Sequence, residues 1–175
     1  MTSTRLLLLN LTAAVALAGC AAVSQDPSAV AELQPTQGST VTGKVVFVQH
    51  AHGMVKVSGQ VRGLKPLAEH GFHIHETGDC SSADASSAGG HFNPGNTNHG
   101  KHGTGPVHAG DLPSLRANSS GMAIVHFETP QISVGSNSNN ILDRALVVHA
   151  DPDDFASQPS GNAGARLACA VIKSE

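Results

Sequence analysis

The sequence predicts an all-β domain, either a sandwich or a barrel. Six segments alternate between apolar and polar residues with a period of two, which is the pattern of a half-buried strand. No stretch after the N-terminal apolar run shows helical periodicity, and the 19 glycines are concentrated between the alternating segments. A chain of 175 residues has room for one ordinary domain with a core.

Composition limits both the core and the partners. The chain is 39% hydrophobic but only 3% aromatic, so the core has to be built from aliphatic residues and five Phe. A formal net charge of −3 argues against a nucleic-acid partner held by phosphate neutralisation. Eleven histidines are many for this length, and composition alone does not explain them.

The first element of the chain indicates export. Arg5 precedes an apolar run that starts at Leu6 and ends in the small residues LAGC. This run is too short and too early for a good membrane-spanning helix. LAGC resembles the lipobox of bacterial lipoproteins, in which the Cys becomes the first residue and carries the lipid. We therefore expect a signal peptide over residues 1–19 and a lipid on Cys20; an ordinary secretory signal with an incidental Cys is the alternative.

The second element is polar and contains small residues and Pro. Residues 21–40 have the sequence AAVSQDPSAVAELQPTQGST, which is typical of a flexible linker. We expect residues 20–40 to form a lipid-anchored tether and residues 41–175 to form the folded domain.

The strands and two long loops follow. The alternating segments are residues 40–48, 55–62, 71–76, 122–127, 145–149 and 167–172, and the short break HAHG between the first two suits a hairpin. Residues 77–117 and 150–165 are too long for hairpin turns. Long loops of this kind in a compact domain are usually functional, so we expect the functional residues to lie in them.

Export, together with the number of cysteines, predicts a disulfide. If Cys20 carries a lipid, Cys80 and Cys169 remain as an even pair in an oxidising compartment, where a disulfide is the expected state. A bond between them would close a loop of about 90 residues and contribute on the order of 4–5 kcal/mol on the chain-entropy model.

Two groups of histidines indicate metal chemistry. In GFHIHETGDC, His73 and His75 would lie on one face of a strand, about 6.5–7 Å apart, while Phe72 and Ile74 enter the core. H-x-H alone is a weak signal, and polar residues on an exposed sheet face are its alternative. The second group is stronger, because three imidazoles and one carboxylate make a plausible tetrahedral zinc site; its members are His91, His99, His108 and Asp111. His149, at the end of LVVH, can reach the same region.

These motifs resemble those of one known family. GFHIHETGDC, SAGGHFNP, HAGDLP, LVVHADPDD and GNAGARLACAVI are similar, in order and spacing, to motifs of the copper/zinc superoxide dismutases over about residues 41–173. The resemblance is to the bacterial exported branch. It implies a Greek-key β-sandwich or flattened barrel of about eight antiparallel strands with two long functional loops. It also implies dismutation of superoxide to oxygen and hydrogen peroxide, as antioxidant defence in the cell envelope or periplasm.

The resemblance implies two ligand sets. Copper would be bound by His73, His75, His91 and His149, and zinc by His91, His99, His108 and Asp111. In the implied mechanism copper alternates between Cu(II) and Cu(I), and His91 leaves copper, takes a proton and passes it to the second superoxide. Zinc would have a structural and electrostatic role.

Further residues match the family's pattern. Arg166 corresponds to the guanidinium beside copper, and Asp153 to an aspartate that hydrogen-bonds a histidine of each metal site, with Asp154 as the alternative register. Cys80 and Cys169 match the family's disulfide. The resemblance also allows a homodimer.

Some residues depart from the pattern or match no ligand. His102 could compete with His99 for zinc, although the spacing favours His99. The 150–165 loop contains no Lys, which leaves Lys101 and Arg166 as the nearest cations for electrostatic steering of the substrate. We expect His50 and His52 to lie in a surface turn, with an accessory copper-acquiring site as the alternative. A structural role is expected for His70, and a position on a strand face for His126.

Three function classes are compatible with a histidine-rich metal site. The leading one is the dismutase. A non-catalytic lipoprotein that binds or delivers copper would keep the histidines but would not need Arg166 or a shared ligand. A zinc hydrolase would need an open zinc position and a general base, whereas the zinc set already has four ligands.

Overall fold

The computed structural model describes residues 26–135 and 137–175, and within them it confirms the all-β prediction. The predicted signal peptide and Cys20 lie outside the described residues. Two 3-10 turns, Ala51–Gly53 and Ser86–Ala88, lie between strands. No helix in the described ranges is long and apolar enough to cross a membrane. The strands are β1 (Ser28–Pro35), β2 (Thr42–Gln49), β3 (Val55–Arg62), β4 (Glu69–His70), β5 (Phe72–His75), β6 (Leu115–Arg116), β7 (Ala123–Thr129), β8 (Ala145–His149), β9 (Arg166–Val171) and β10 (Lys173–Ser174).

One curved antiparallel sheet contains most of the strands. Its order is β5-β8-β9-β1-β2-β3-β7, β10 adds to β1, and β4 pairs separately with β6. The sheet has two halves: β2, β3, β7 and β10 form one half, and β5, β8 and β9 form the other. β1 belongs to both, because residues 28–33 pair with β2 whereas Gln34 and Pro35 pair with β9. The chain crosses between the halves from β3 to β5, from β5 to β7 and from β7 to β8. These crossings are the long connections that a Greek-key arrangement requires.

The core between the two halves is aliphatic, as composition predicts. Burial in β2 alternates, so that Val45 and Phe47 are fully buried while their neighbours are partly exposed. β5 and β8 differ, because every residue of both strands is buried. Phe72 and Ile74 occupy the core side of β5, which leaves the other side of this strand for its two histidines.

The expected tether is wrong for residues 28–35, which form β1. Ala29, Ala31 and Leu33 are buried with a period of two, and the strand makes six residue pairs with β2. The pattern is inconspicuous in the sequence because alanine has a low preference for strands and two of the three buried side chains are alanines. The folded domain therefore begins before residue 41, and residues 20–25 lie outside the described part of the chain.

The 77–117 loop is held against β5 rather than free. The N–H of Ile74 donates to Gly110 O at 2.9 Å, and the N–H of Phe92 donates to Ile74 O at 2.8 Å. Position 110 has to be glycine, since a Cβ there would lie 2.2 Å from Ile74 O. These contacts bring the distant parts of the loop beside the two histidines of β5.

Candidate metal centre

Three parts of the chain supply the predicted metal ligands. β5 carries His73 and His75, and His149 is the last residue of β8. The register of β8 and β9 shifts between Val148 and His149, so that His149 pairs with Arg166. Such irregularities redirect side chains beside functional sites. The 77–117 loop contributes the remaining histidines and Asp111.

The first donor group lies beside β5 and the last residue of β8. Its members are buried, and each offers one ligand atom within 4.8 Å of all the others; they are His73, His75, His91 and His149. The ring centroids of His73 and His91 are 4.1 Å apart, and those of His75 and His149 are 5.5 Å apart.

The second donor group shares His91 with the first. Its ligand atoms also lie within 4.8 Å of one another, and its members are His91, His99, His108 and Asp111. Asp111 Oδ1 is 2.9 Å from His91 Nδ1, 3.0 Å from His99 Nδ1 and 3.4 Å from His108 Nδ1. Asp111 Oδ2 is held by the N–H groups of Gly100 and His108, at 3.1 Å each. Three imidazoles and one carboxylate form the donor set of a tetrahedral zinc site.

Hydrogen bonds orient the free nitrogens of the first group toward each other. His75 Nδ1 donates to Gly89 O at 2.9 Å and His149 Nδ1 donates to Gly164 O at 3.2 Å, so both Nε2 atoms carry lone pairs. These two Nε2 atoms are only 3.3 Å apart. Two facing lone pairs repel each other, and a cation between them removes that repulsion.

Two further nitrogens of this group have no partner. Among the described residues, His73 Nδ1 and His91 Nε2 are buried without a hydrogen-bond partner. Buried polar atoms are rarely left unpaired, because the loss of hydration is costly. The other nitrogen of each ring is occupied, by Asp153 for His73 and by Asp111 for His91. The donor atoms thus fit a metal ion with nitrogen preference.

Burial keeps three histidines of the first group neutral. It lowers the pKa of His73 to about 4, of His149 to about 3 and of His75 to about 2, because charging an imidazole away from water is unfavourable. A proton on a neighbouring histidine would lower these pKa values further, because two positive charges repel each other. At neutral pH the three rings therefore keep the lone pairs that metal binding requires.

The pKa of His99 shifts in the opposite direction, upward, in the metal-free protein. Burial acts to lower its pKa, but hydrogen bonds to Asp111 and Asp153 outweigh burial and raise the pKa to about 9. Burial likewise acts to raise the pKa of Asp111, and the hydrogen bonds from His91 and His99 hold it well below its usual range. The carboxylate of Asp111 therefore stabilises a proton on His99, and a zinc ion would replace this proton with a divalent positive charge at the same place.

Asp153 connects the two groups. Its Oδ2 is 2.7 Å from His73 Nε2 and its Oδ1 is 2.9 Å from His99 Nε2. Asp154, the alternative in the sequence, is exposed and hydrogen-bonds Ser157 within its own loop. A carboxylate on the outer nitrogen fixes the orientation of a ligand imidazole, and Asp153 does so for one ring in each group.

Arg166 lies in the cleft that leads to the first group. The cleft is lined by His75, Glu76, His91, His108, His149 and Arg166, among others. Within the described residues, Arg166 is the one Lys or Arg side chain in this lining. It is half-buried, Nη2 donates to Gly89 O at 2.6 Å, and Nη1 donates to Ala85 O. The Cys80–Cys169 disulfide is formed and ties the segment that carries these carbonyls to β9.

The remaining sequence candidates lie elsewhere. His102 hydrogen-bonds Asp111 O at 2.8 Å and packs edge-on against Phe127, outside both donor groups. Lys101 lies over the ring of Phe155, 5.8 Å from its centroid, and does not line the cleft. The structure therefore does not support Lys101 as a cation that steers the substrate toward the cleft.

The other histidines match their expected settings. His50 lies beside the exposed turn that contains His52, and its Nδ1 is 3.2 Å from Asp26 Oδ2. His126 is exposed on β7. His70 is buried and hydrogen-bonds His149 O at 2.9 Å, which supports the end of β8.

Sequence reasoning missed Gln158, whose side chain contacts the main chain of His99. No periodicity or motif points to this residue, because its partner is 59 positions away. Gln158 itself is exposed, and the surrounding sequence SQPS resembles any polar turn.

Comparisons with known proteins agree with the geometry. The family model of the copper/zinc superoxide dismutases matches residues 41–172. Superoxide dismutase [Cu-Zn] 2 of Aquifex aeolicus is 40% identical over 157 residues, which cover 87% of this chain and 91% of that protein. Superoxide dismutase [Cu-Zn] 1 of the same organism is 36% identical over 155 residues, covering 86% and 90%.

Solved structures show the same fold. The crystal structure of the clock protein EA4 superimposes with a TM-score of 0.77 at 36% identity, covering 86% of this chain and 96% of that chain. A double mutant of a SOD-like protein from Bacillus subtilis gives a TM-score of 0.73 at 37% identity, covering 81% and 94%. On this similarity in sequence and fold, the chain belongs to the copper/zinc superoxide dismutase family.

Proposed function

We propose that the protein dismutates superoxide, converting two superoxide anions and two protons into one oxygen and one hydrogen peroxide. The observation that supports this activity best is the sharing of His91 by two buried donor groups beside the cation Arg166. The curated relatives named as copper/zinc superoxide dismutases support the same activity.

The two groups fit copper and zinc. We assign copper to His73, His75, His91 and His149, and zinc to His91, His99, His108 and Asp111. The all-nitrogen first group suits copper, and the second, with its carboxylate, suits zinc. When bound, copper supplies the reversible one-electron transfer, and zinc supplies fixed charge without redox chemistry.

The chain's own residues bind the substrate and move the proton. Arg166 attracts the superoxide anion, and the carbonyls of Ala85 and Gly89 hold its guanidinium in place. His91 is suited to carry a proton at Nε2, because this atom has no hydrogen-bond partner among the described residues and its ring lines the cleft. Nδ1 of the same ring faces the second donor group, 2.9 Å from Asp111 Oδ1, so the ring is held from this side while Nε2 gains and loses the proton. The second proton comes from solvent.

The alternatives explain less of the site. A protein that only binds or delivers copper has no use for a guanidinium held by two carbonyls at the cleft, nor for a histidine shared with a second group. A zinc hydrolase needs a coordination position open to water, whereas the zinc group has four donors.

Superoxide removal tests the activity directly. The protein loaded with copper and zinc should remove superoxide catalytically, and the metal-free protein should not. Stopped-flow decay of superoxide measures both. A loaded protein no faster than the uncatalysed reaction would refute the proposal.

The zinc assignment predicts different results for two neighbouring histidines. His99→Ala removes one of four donors and the partner of Asp153, so zinc content should fall to a small fraction of one equivalent. His102→Ala removes a side chain outside the donor group and should retain zinc. Metal analysis after dialysis against a weak chelator measures both variants. Zinc loss in His102→Ala alone would show that His99 is not the ligand.

Export and anchoring are part of the proposal. We infer that residues 1–19 are a signal peptide and that Cys20 carries a lipid that holds the enzyme on a membrane of the cell envelope. The sequence LAGC and the Cys80–Cys169 disulfide, which is typical of oxidising compartments, support this localisation. A homodimer stays a prediction, which ultracentrifugation of the detergent-solubilised protein tests.

The lipid can be detected by labelling. In a bacterial host fed radioactive palmitate, the full chain should be labelled and fractionate with membranes. Cys20→Ala should lose both the label and the membrane association. Equal labelling of the two proteins would show that Cys20 is not the lipid site.

A further inference from the structure

Gln158 joins the 150–165 loop to the main chain of His99. Its Oε1 accepts a hydrogen bond from the N–H of His99 at 2.9 Å, and its Nε2 donates to His99 O at 3.0 Å. The same Nε2 donates to Ala156 O at 3.2 Å within its own loop. One amide side chain thus pairs with both main-chain polar groups of a residue that lies outside any strand. The position of His99 is therefore set by the neighbouring loop.

The ring of His99 is also held by that loop. Its Nε2 is 2.9 Å from Asp153 Oδ1, while its Nδ1 is 3.0 Å from Asp111 Oδ1. With the main chain fixed by Gln158, the ring cannot turn toward Asp153 without also presenting Nδ1 to Asp111. The two contacts from the 150–165 loop therefore determine which nitrogen faces the second donor group.

Gly161 supplies the space for the contact between Asp153 and His99. A Cβ at position 161 would lie 2.0 Å from Asp153 Oδ1 and 2.5 Å from His99 Nε2. The residue has a φ of 68°, which also favours glycine. Its N–H donates to Ser157 O at 2.7 Å, so the turn that carries it cannot easily move away.

We propose that Gln158 and Gly161 are positioning residues for the second donor group: Gln158 fixes the main chain of His99, and Gly161 leaves room for the Asp153–His99 hydrogen bond. Neither residue belongs to the donor groups. The inference rests on the proposed zinc assignment. It predicts that zinc affinity depends on a loop that contributes no zinc ligand, because that loop orients one of them.

The effect of Gln158 is measured by zinc competition. Gln158→Ala should lower the zinc affinity of the full chain by at least about 10-fold, the effect expected when a partner that orients a ligand is lost. Gln158→Glu should also bind more weakly, because a carboxylate oxygen then faces His99 O. Cobalt(II) bound in place of zinc should show altered visible absorption in both variants, since these bands report ligand geometry.

Asn162→Gly is the matched control for Gln158. Asn162 also makes two amide hydrogen bonds, but both stay within its own loop, to Asp154 and Ser157. This variant loosens the loop without releasing His99, so it should retain zinc affinity and the cobalt spectrum. If Gln158→Ala stays within about twofold of the unmodified protein, or if Asn162→Gly loses as much affinity, Gln158 has no positioning role.

Gly103→Ala is the matched control for Gly161→Ala. Gly103 has a φ of 77°, but a Cβ added at this position would meet no atom within 4 Å, and the residue lies in the 77–117 loop with the zinc donors. Both variants bear the same backbone strain, and only Gly161→Ala collides with the Asp153–His99 contact. Gly161→Ala should therefore lose at least about 10-fold in zinc affinity relative to Gly103→Ala. Equal losses would overturn the steric argument.

Metal binding by the unmodified protein tests the zinc assignment, and metal binding by the variants tests the positioning role. If the unmodified protein shows no tight zinc or cobalt binding, the zinc assignment itself is wrong. If it binds both metals and the Gln158 and Gly161 variants bind them equally well, the zinc assignment stands and the positioning inference is wrong.

Discussion

Arg166→Ala should lower the rate constant for superoxide removal by roughly 10-fold to 10³-fold, the range of electrostatic steering, for which this enzyme family is itself a standard example. The expectation follows from the lining of the cleft, where Arg166 is the one Lys or Arg side chain among the described residues. Stopped-flow or pulse-radiolysis decay of superoxide measures the rate, with copper and zinc content matched between the proteins. The loss should shrink as ionic strength rises, because salt screens the lost attraction.

Two further variants separate charge from geometry. Arg166→Lys keeps the charge but not the planar pair of donors that contacts Ala85 O and Gly89 O. Its rate should therefore fall between those of Arg166→Ala and the unmodified protein. Lys101→Ala removes a cation that lies over Phe155 outside the cleft, and its rate should match that of the unmodified protein. Unchanged activity in Arg166→Ala would remove this residue from the mechanism.

Strand prediction from the sequence succeeded where burial alternates between large and polar side chains. β2, β3 and β7 have such patterns, and the structure places strands there. β1 was missed because Ala29 and Ala31 are buried by the neighbouring strands rather than by any marked local preference. Pairing between strands is a tertiary property, and a single sequence shows it only through side chains large enough to form a pattern.

The candidate site was predictable for a different reason. Spacing along one strand suggests that His73 and His75 face the same side, but nothing local shows that His91 meets both groups. The resemblance to a known family supplied the ligand sets, and the structure brings together the same residues in two groups. Contacts without a family motif stayed invisible, such as the bond of Gln158 to His99 and the contact of Lys101 with Phe155. They depend on how two loops meet, which no local pattern encodes.

Removal of the disulfide should cost the metal-free protein about 4–5 kcal/mol in free energy of unfolding on the chain-entropy model. Cys80 and Cys169 are 89 positions apart, so the bond restricts about half of the unfolded chain. Cys80→Ala with Cys169→Ala avoids new polar groups at these positions, since Cys169 is buried among small apolar residues. Denaturant unfolding of the double variant and of the oxidised protein gives the difference. A loss below about 1 kcal/mol would contradict the prediction.

The same variant should also lose activity under conditions in which it stays folded and metal-loaded. The disulfide anchors the segment that begins at Cys80, and the carbonyls of Ala85 and Gly89 in that segment hold the guanidinium of Arg166. Without the anchor, the segment can move and Arg166 loses its fixed position beside the first donor group. Adding Arg166→Ala to the disulfide-free protein should then cost less than it does in the oxidised protein, because the two changes act through the same guanidinium. Fully additive losses would show that the disulfide supports stability alone.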